Sequence, residues 1–143
     1  MTGFLIVKFI YLSMNNSIKI LMIEDNHDDA QLISKFLERN AKFEFTISFI
    51  SSKTELEDAL QKGMQDVVLC DHSLPSFNSE EALKMCREQN PSLPFIIVTG
   101  AVKEDAAINI FELGADNYIM KDNLKRLPSA ITKALQQKKE KAK

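Results

Sequence analysis

The run Lys19-Ile20-Leu21-Met22-Ile23, closed by the acid pair Glu24-Asp25, decides the fold. A short apolar run stopped abruptly by two carboxylates reads as a strand buried on both faces, too brief to be a core helix. Immediately after it Ala30, Ile33 and Leu37 recur at helical spacing, beside Leu32 and Phe36, through about Asn40. This strand-then-helix unit repeats along the chain. Phe43, Phe45, Ile47 and Phe49 alternate with polar residues, the period of a half-exposed strand. Ser52 with Glu55 forms a capping box opening a helix that carries Leu56, Leu60 and Met64. Val67 to Cys70 is the third strand, stopping at Asp71, and Asn78 with Glu81 caps a third helix through Ala82, Leu83 and Cys86. Asn90-Pro91 breaks that helix. Phe95 to Val98 makes a fourth strand closed by Thr99-Gly100, and a helix from about Lys103 to Leu113 ends at Gly114. Asn117 to Met120 is the fifth strand, and a last helix begins near Asn123.

Five strands alternating with five helices specify an α/β fold, a parallel sheet covered by helices on both faces. The near-continuous hydrophobicity of the strands agrees, because a sheet buried on both sides has no polar face. Only the second strand alternates cleanly, which places it at an edge.

At 143 residues, with no linker, repeat or second composition block, the chain is one domain. Eighteen basic against twenty acidic residues give a net charge of −2, which excludes the basic footprint of a stand-alone nucleic-acid binder. Cys70 and Cys86 lie in apolar stretches without partners at metal-site spacing, so they read as buried free thiols in a reducing, cytoplasmic setting. No run reaches the ~20 apolar residues of a membrane span. Phe4 to Leu12, interrupted by Lys8, lacks the flanks of a signal peptide. Residues 1–17 are therefore an extension: Met14 as the true start is the favoured reading, with a packed segment or a partner-binding arm as alternatives. The domain proper spans 18–137, and 138–143 are a lysine-rich tail, either a solvated helix end or a linker.

The unusual polar residues fall in one place. Glu24, Asp25, Asp71, Thr99 and Lys121 each lie at or just beyond the C-terminal end of a strand. In an open parallel sheet those ends share one edge, and ligands bind in the crevice above it. Singly, each has a plain structural explanation as a helix cap, a turn former or a solvated lysine. Jointly, on four strands, they define a site. Three carboxylates in one crevice repel one another, and a hard divalent cation such as Mg²⁺ relieves the repulsion. Lysine offers a compact positive charge and threonine a hydroxyl donor to phosphoryl oxygens. The set suits a phosphoryl group on or beside a carboxylate, with Asp as a nucleophile forming an acyl phosphate.

These residues resemble the receiver domains of two-component response regulators. The motifs are Glu24-Asp25, Asp71-His72-Ser73-Leu74-Pro75, Thr99-Gly100, and Tyr118 followed by Lys121, and the likeness covers about Ile18 to Gln137. The resemblance implies a flavodoxin-like (βα)₅ fold with strand order 2-1-3-4-5. It implies that Asp71 accepts a phosphoryl group from a histidine kinase or histidine phosphotransfer protein. Asp25, Asp71 and the Ser73 backbone carbonyl would ligate Mg²⁺, with Glu24 acting mostly through bound water. Lys121 would pair with the phosphoryl group, Thr99 would hydrogen-bond it, and Tyr118 would rotate as the switch aromatic. The result is a signalling switch rather than an enzyme, monomeric or dimerising on phosphorylation. It would bind a downstream protein through the face of the fourth helix, fifth strand and last helix, with no direct nucleic-acid or membrane contact.

Two departures from the family pattern stand out. Asp122 follows Lys121 where proline with a cis bond is usual, so a trans bond and a different loop are expected. Ser79 replaces the glycine usual eight positions after the acceptor. His72 is expected to point away from the site and His27 to sit on the surface of the first turn. Ser73 and Ala101 flank the path of attacking water, and their small side chains leave it open. Two other functions compete. A haloacid-dehalogenase-type phosphohydrolase wants a second Asp where Ser73 stands, and it wants a cap domain. A receiver-shaped interaction module independent of phosphate fits poorly with the intact acidic set. A P-loop binder is excluded, because no Gly-x-x-x-x-Gly-Lys occurs.

Overall fold

Strands whose side chains are buried on both sides send alternate residues to opposite faces, so one sheet builds two cores. In the computed structural model, which describes residues 17–72, 78–100, 112 and 114–141, β1 is Ile18–Ile23, β2 Phe45–Ile50, β3 Val67–Cys70, β4 Phe95–Thr99 and β5 Asn117–Met120. All pair in parallel in the order β2-β1-β3-β4-β5, with β2 at an edge as its alternating pattern predicts. The helices are α1 (His27–Asn40), α2 (Lys53–Lys62), α3 (Ser79–Gln89) and α4 (Leu127–Lys141), the last preceded by a 3₁₀ turn at Leu124–Arg126.

On one face Leu21, Ile23, Val68, Cys70, Phe95 and Ile97 pack under Leu56 and Leu60 of α2 and Ala82, Leu83 and Cys86 of α3. On the other Ile20, Met22, Val67, Leu69, Ile96 and Val98 pack under Ile33 and Leu37 of α1 and Leu127, Ala130, Ile131 and Ala134 of α4. Each such aliphatic side chain contributes roughly 1.5–3 kcal/mol on burial, enough to fix which residues face which layer. Three helices begin on side-chain caps: Asn26, Ser52 and Asn78 accept from the backbone N–H of Asp29, Glu55 and Glu81. Cys70 and Cys86 are free and buried.

The structure departs from sequence expectation in three places. The second helix stops at Gly63, which adopts the left-handed conformation (φ 63°), so Met64 leaves the apolar stripe and is 60% exposed. In β2 the alternation ends early: Phe49 is 38% exposed, and Ile50 packs instead against the α2–α3 core. The last α-helix starts at Leu127 rather than near Asn123. Pro128 has no N–H to bond back to residue 124, so the approach is a 3₁₀ turn and proline falls in the tolerated first turn. That helix runs on to Lys141, into the lysine-rich tail as its sequence suggests. No cis peptide bond occurs among the described residues, so the Lys121–Asp122 bond is trans. Residues 1–16, Ser73, Ala101 and nearly all of the helix expected over Lys103–Leu113 lie outside the described residues. No helix among the described residues is long and apolar enough to cross a membrane.

Candidate functional site

The strand ladder fixes the backbone of the site before any side chain is considered. The N–H of Glu24 bonds to Ile50 O at 2.9 Å, that of Asp71 to Ile23 O at 3.0 Å, and that of Lys121 to Thr99 O at 2.8 Å. Each of these three residues is therefore the first beyond its strand and is tied to the strand beside it. Residues far apart in sequence are held at one rigid edge, the preorganisation a reactive cluster requires.

Carboxylate oxygens of Glu24, Asp25 and Asp71 all lie within 4.8 Å of one another, Glu24 and Asp71 buried and Asp25 exposed. Lys121 reaches into this group. Its Nζ is 2.7 Å from Glu24 Oε1, 2.6 Å from Asp29 Oδ2 and 3.4 Å from Asp71 Oδ2. The Asn26 backbone N–H donates to Glu24 Oε2 at 3.4 Å. Burial pushes the Glu24 carboxyl up to about 7; Lys121 opposes the rise, while the neighbouring Asp71 adds to it. Burial would lower the Lys121 pKa, but Asp29, Glu24 and Asp71 outweigh it and hold the ammonium above the ordinary lysine value.

The donor set fits a hard divalent cation. Three hard oxygen ligands converge, and one lysine cannot balance them together with Asp29. Thr99 at the end of β4 is fully buried, and its Oγ1 has no hydrogen-bond partner. A buried hydroxyl left unmatched costs about 1–3 kcal/mol, so a ligand oxygen is the natural acceptor for it.

The other expected residues divide. Tyr118 on β5 is half-buried and packs against the α2–α3 core, with burial raising its hydroxyl pKa. His72 is tied by Nδ1 to Ser79 Oγ at 2.6 Å, a link from the residue after Asp71 to the start of α3. His27 is exposed and contacts Gln31 at 3.1 Å. Ser73 lies outside the described residues. Sequence reasoning missed Asp29. Its signal was its place four residues after Asp25, in the first turn of α1, which brings an acid back over the strand edge.

A sequence model of the response regulator receiver domain matches residues 20–132. Over 113 residues the chain is 34% identical to a protein-glutamate methylesterase/protein-glutamine glutaminase of Halalkalibacterium halodurans, covering 76% of this chain and 31% of that protein. Over 104 residues it is 33% identical to the transcriptional regulatory protein CiaR of Streptococcus pneumoniae, covering 73% of this chain and 45% of that protein. The chain thus spans less than half the length of these relatives. The crystal structure of a response regulator receiver domain protein from Clostridium thermocellum superposes with a TM-score of 0.75 at 30% identity, covering 85% of this chain and 97% of that one.

Proposed function

The chain belongs to the response regulator receiver domain family, and on that premise we propose that Asp71 is its phosphoacceptor, loaded in a Mg²⁺-dependent reaction by a histidine kinase or histidine phosphotransfer protein. The observation that carries this reading is the meeting of Asp71, Glu24, Asp25 and Lys121 at one strand edge beside the unmatched hydroxyl of Thr99.

An Asp71 carboxylate oxygen attacks phosphorus of the partner's phosphohistidine. The new O–P bond forms as the P–N bond breaks, and the bonding pair leaves with the imidazole of the partner. Asp71 is 5% exposed, so its carboxylate attacks from a partly desolvated position and needs little reorganisation. Glu24, Asp25 and Asp71 would hold the divalent ion, with the Ser73 carbonyl as a further ligand. When bound, that ion neutralises charge on the carboxylates and on the transferred group. Lys121 places its ammonium against one phosphoryl oxygen and Thr99 donates its hydroxyl to another. The Thr99 hydroxyl gains the acceptor it lacks, which draws the end of β4 toward Asp71 and frees space for Tyr118 to turn inward. The protein acts as a switch, with slow self-dephosphorylation as its only chemistry. Its output is altered binding of a protein partner on the face of β5 and α4 together with the segment preceding β5, as a monomer or a phosphorylation-dependent dimer, in the cytoplasm.

Intact-mass analysis after incubation with acetyl phosphate and Mg²⁺ tests the reading. One phosphoryl increment that requires Mg²⁺ and vanishes in Asp71→Asn is expected. A folded, Mg²⁺-binding protein that takes up neither phosphoryl from acetyl phosphate nor beryllofluoride overturns it in favour of a phosphate-independent interaction module.

A further inference from the structure

Lys121 is already crowded by acids: its ammonium donates to Asp29 and Asp71 and stands against Glu24 as an ion pair. An ammonium has three donors, and three carboxylates surround this one: Asp29 at 2.6 Å, Glu24 at 2.7 Å and Asp71 at 3.4 Å. A phosphoryl oxygen arriving at Lys121 must displace one of them. Asp71 carries the incoming group and cannot leave. The Glu24 side chain is 0% exposed, so releasing it strands a buried carboxylate. The Asp29 side chain is 35% exposed and can return to water. It also sits in the first turn of α1, where the helix dipole favours a negative charge. Asp29 is therefore the partner released at least cost.

We propose that Asp29 is a positioning residue that holds the Lys121 ammonium in competition with the phosphoryl group, so that breaking the Asp29–Lys121 pair is part of loading the site. This rests on the phosphoacceptor reading of Asp71. Asp29 touches neither metal nor phosphoryl group in this scheme and acts through Lys121 alone. It lowers the affinity of the empty site for anions and makes the loaded state answer to whatever moves the start of α1. A partner that docks there and draws Asp29 away would prime the site.

The test is titration of the protein with beryllofluoride in the presence of Mg²⁺, followed by amide NMR, in wild type, Asp29→Asn and Asp28→Asn. Asp28 lies on the same turn and removes the same charge, but is not among the partners of Lys121. Asp29→Asn should lower the half-saturating beryllofluoride concentration about threefold or more, the size of a partly exposed ion pair, and Asp28→Asn clearly less. Tighter binding is a gain that damage to α1 does not produce. A matching fall in half-saturating acetyl phosphate, with little change in maximal labelling rate, would support the same conclusion. Equal shifts in both variants would reduce the effect to overall charge and overturn the proposal. Unchanged or weaker binding in Asp29→Asn would overturn it too, while leaving Asp71 as acceptor intact. A wild-type protein that takes up neither beryllofluoride nor phosphoryl removes the acceptor reading itself, and the proposal falls with it.

Discussion

Lys121 Nζ, just past the end of β5, lies 2.7 Å from Glu24 Oε1 just past the end of β1, with β3 and β4 between those strands. This buried pair ties the pH response of the fold to the site. The Glu24 carboxyl is raised from 4.5 to about 7 in the folded protein, chiefly by burial. The native state therefore binds this proton more tightly than the unfolded chain does. The stability Glu24 contributes is fully present below pH 4.5 and is lost as pH rises to about 7, at up to about 1.4 kcal/mol per pH unit. Urea titrations of the metal-free protein between pH 5 and pH 8 should show this decline. Glu24→Gln should flatten it, and an unchanged slope in that variant would remove Glu24 as its source.

Removing the other partner should cost more at high pH than at low. In Lys121→Met the Glu24 carboxylate loses its counter-charge inside the protein, at a cost of about 3 kcal/mol where it stays ionised. At pH 6 Glu24 can take up a proton instead, so the loss should be smaller than at pH 8. Urea midpoints at the two pH values read this difference directly. Equal losses would mean that Lys121 stabilises by its packed stem rather than by its charge.

Asp25 is the exposed member of the acidic group. Its replacement should therefore separate metal affinity from stability. Asp25→Asn should leave the metal-free melting temperature within about 2 °C of wild type, because an exposed substitution changes little and relieves some repulsion. The upward shift produced by millimolar Mg²⁺ should shrink sharply, since binding to the native state is what generates it. Thermal melts with Mg²⁺ and with EDTA test both halves, and a full Mg²⁺ shift in the variant would take Asp25 out of the ligand set.

The sheet was legible because its strands are apolar on both faces and end in polar residues. Val67 to Cys70 followed by Asp71, and Phe95 to Val98 followed by Thr99, mark both the strand and its chemical end. Caps at Ser52 and Asn78 were legible because local spacing alone defines them. What escaped was decided by tertiary contact or by backbone geometry. Met64 continues a helical spacing, yet the left-handed turn at Gly63 takes it out of the core. Asp29 looks like an ordinary first-turn acid until β5 brings Lys121 beside it, 92 positions along the chain.

The serine found where the family usually has glycine has a partner. Ser79, the first residue of α3, is buried, and its Oγ lies 2.6 Å from His72 Nδ1. The pair ties the residue after Asp71 to the start of α3. Ser79→Ala should therefore destabilise the protein by about 1 kcal/mol, the net value of one hydrogen bond, and His72→Ala by a similar amount. The double variant should cost less than the sum, since both singles break the same bond. A double-mutant cycle by urea unfolding measures this coupling, and strict additivity would show that the contact adds no stability.

Thr99 should show stability and function moving in opposite directions. Its side chain is fully buried at the end of β4, and its hydroxyl has no partner in the unphosphorylated protein. Thr99→Val replaces that hydroxyl with a methyl of nearly the same shape and suits a strand at least as well. Unfolding free energy should rise by about 1 kcal/mol, the desolvation penalty no longer incurred. The same change deletes a donor to the phosphoryl group, so beryllofluoride affinity should fall about tenfold, the value of a hydrogen bond to a charged acceptor. Urea unfolding paired with a beryllofluoride titration separates the alternatives. If Thr99→Val is destabilised, the hydroxyl is already satisfied in the resting protein. If it is stabilised with unaltered affinity, the hydroxyl is a tolerated defect. Only a gain in stability joined to a loss in affinity identifies a polar group kept buried and unmatched for the ligand it will meet.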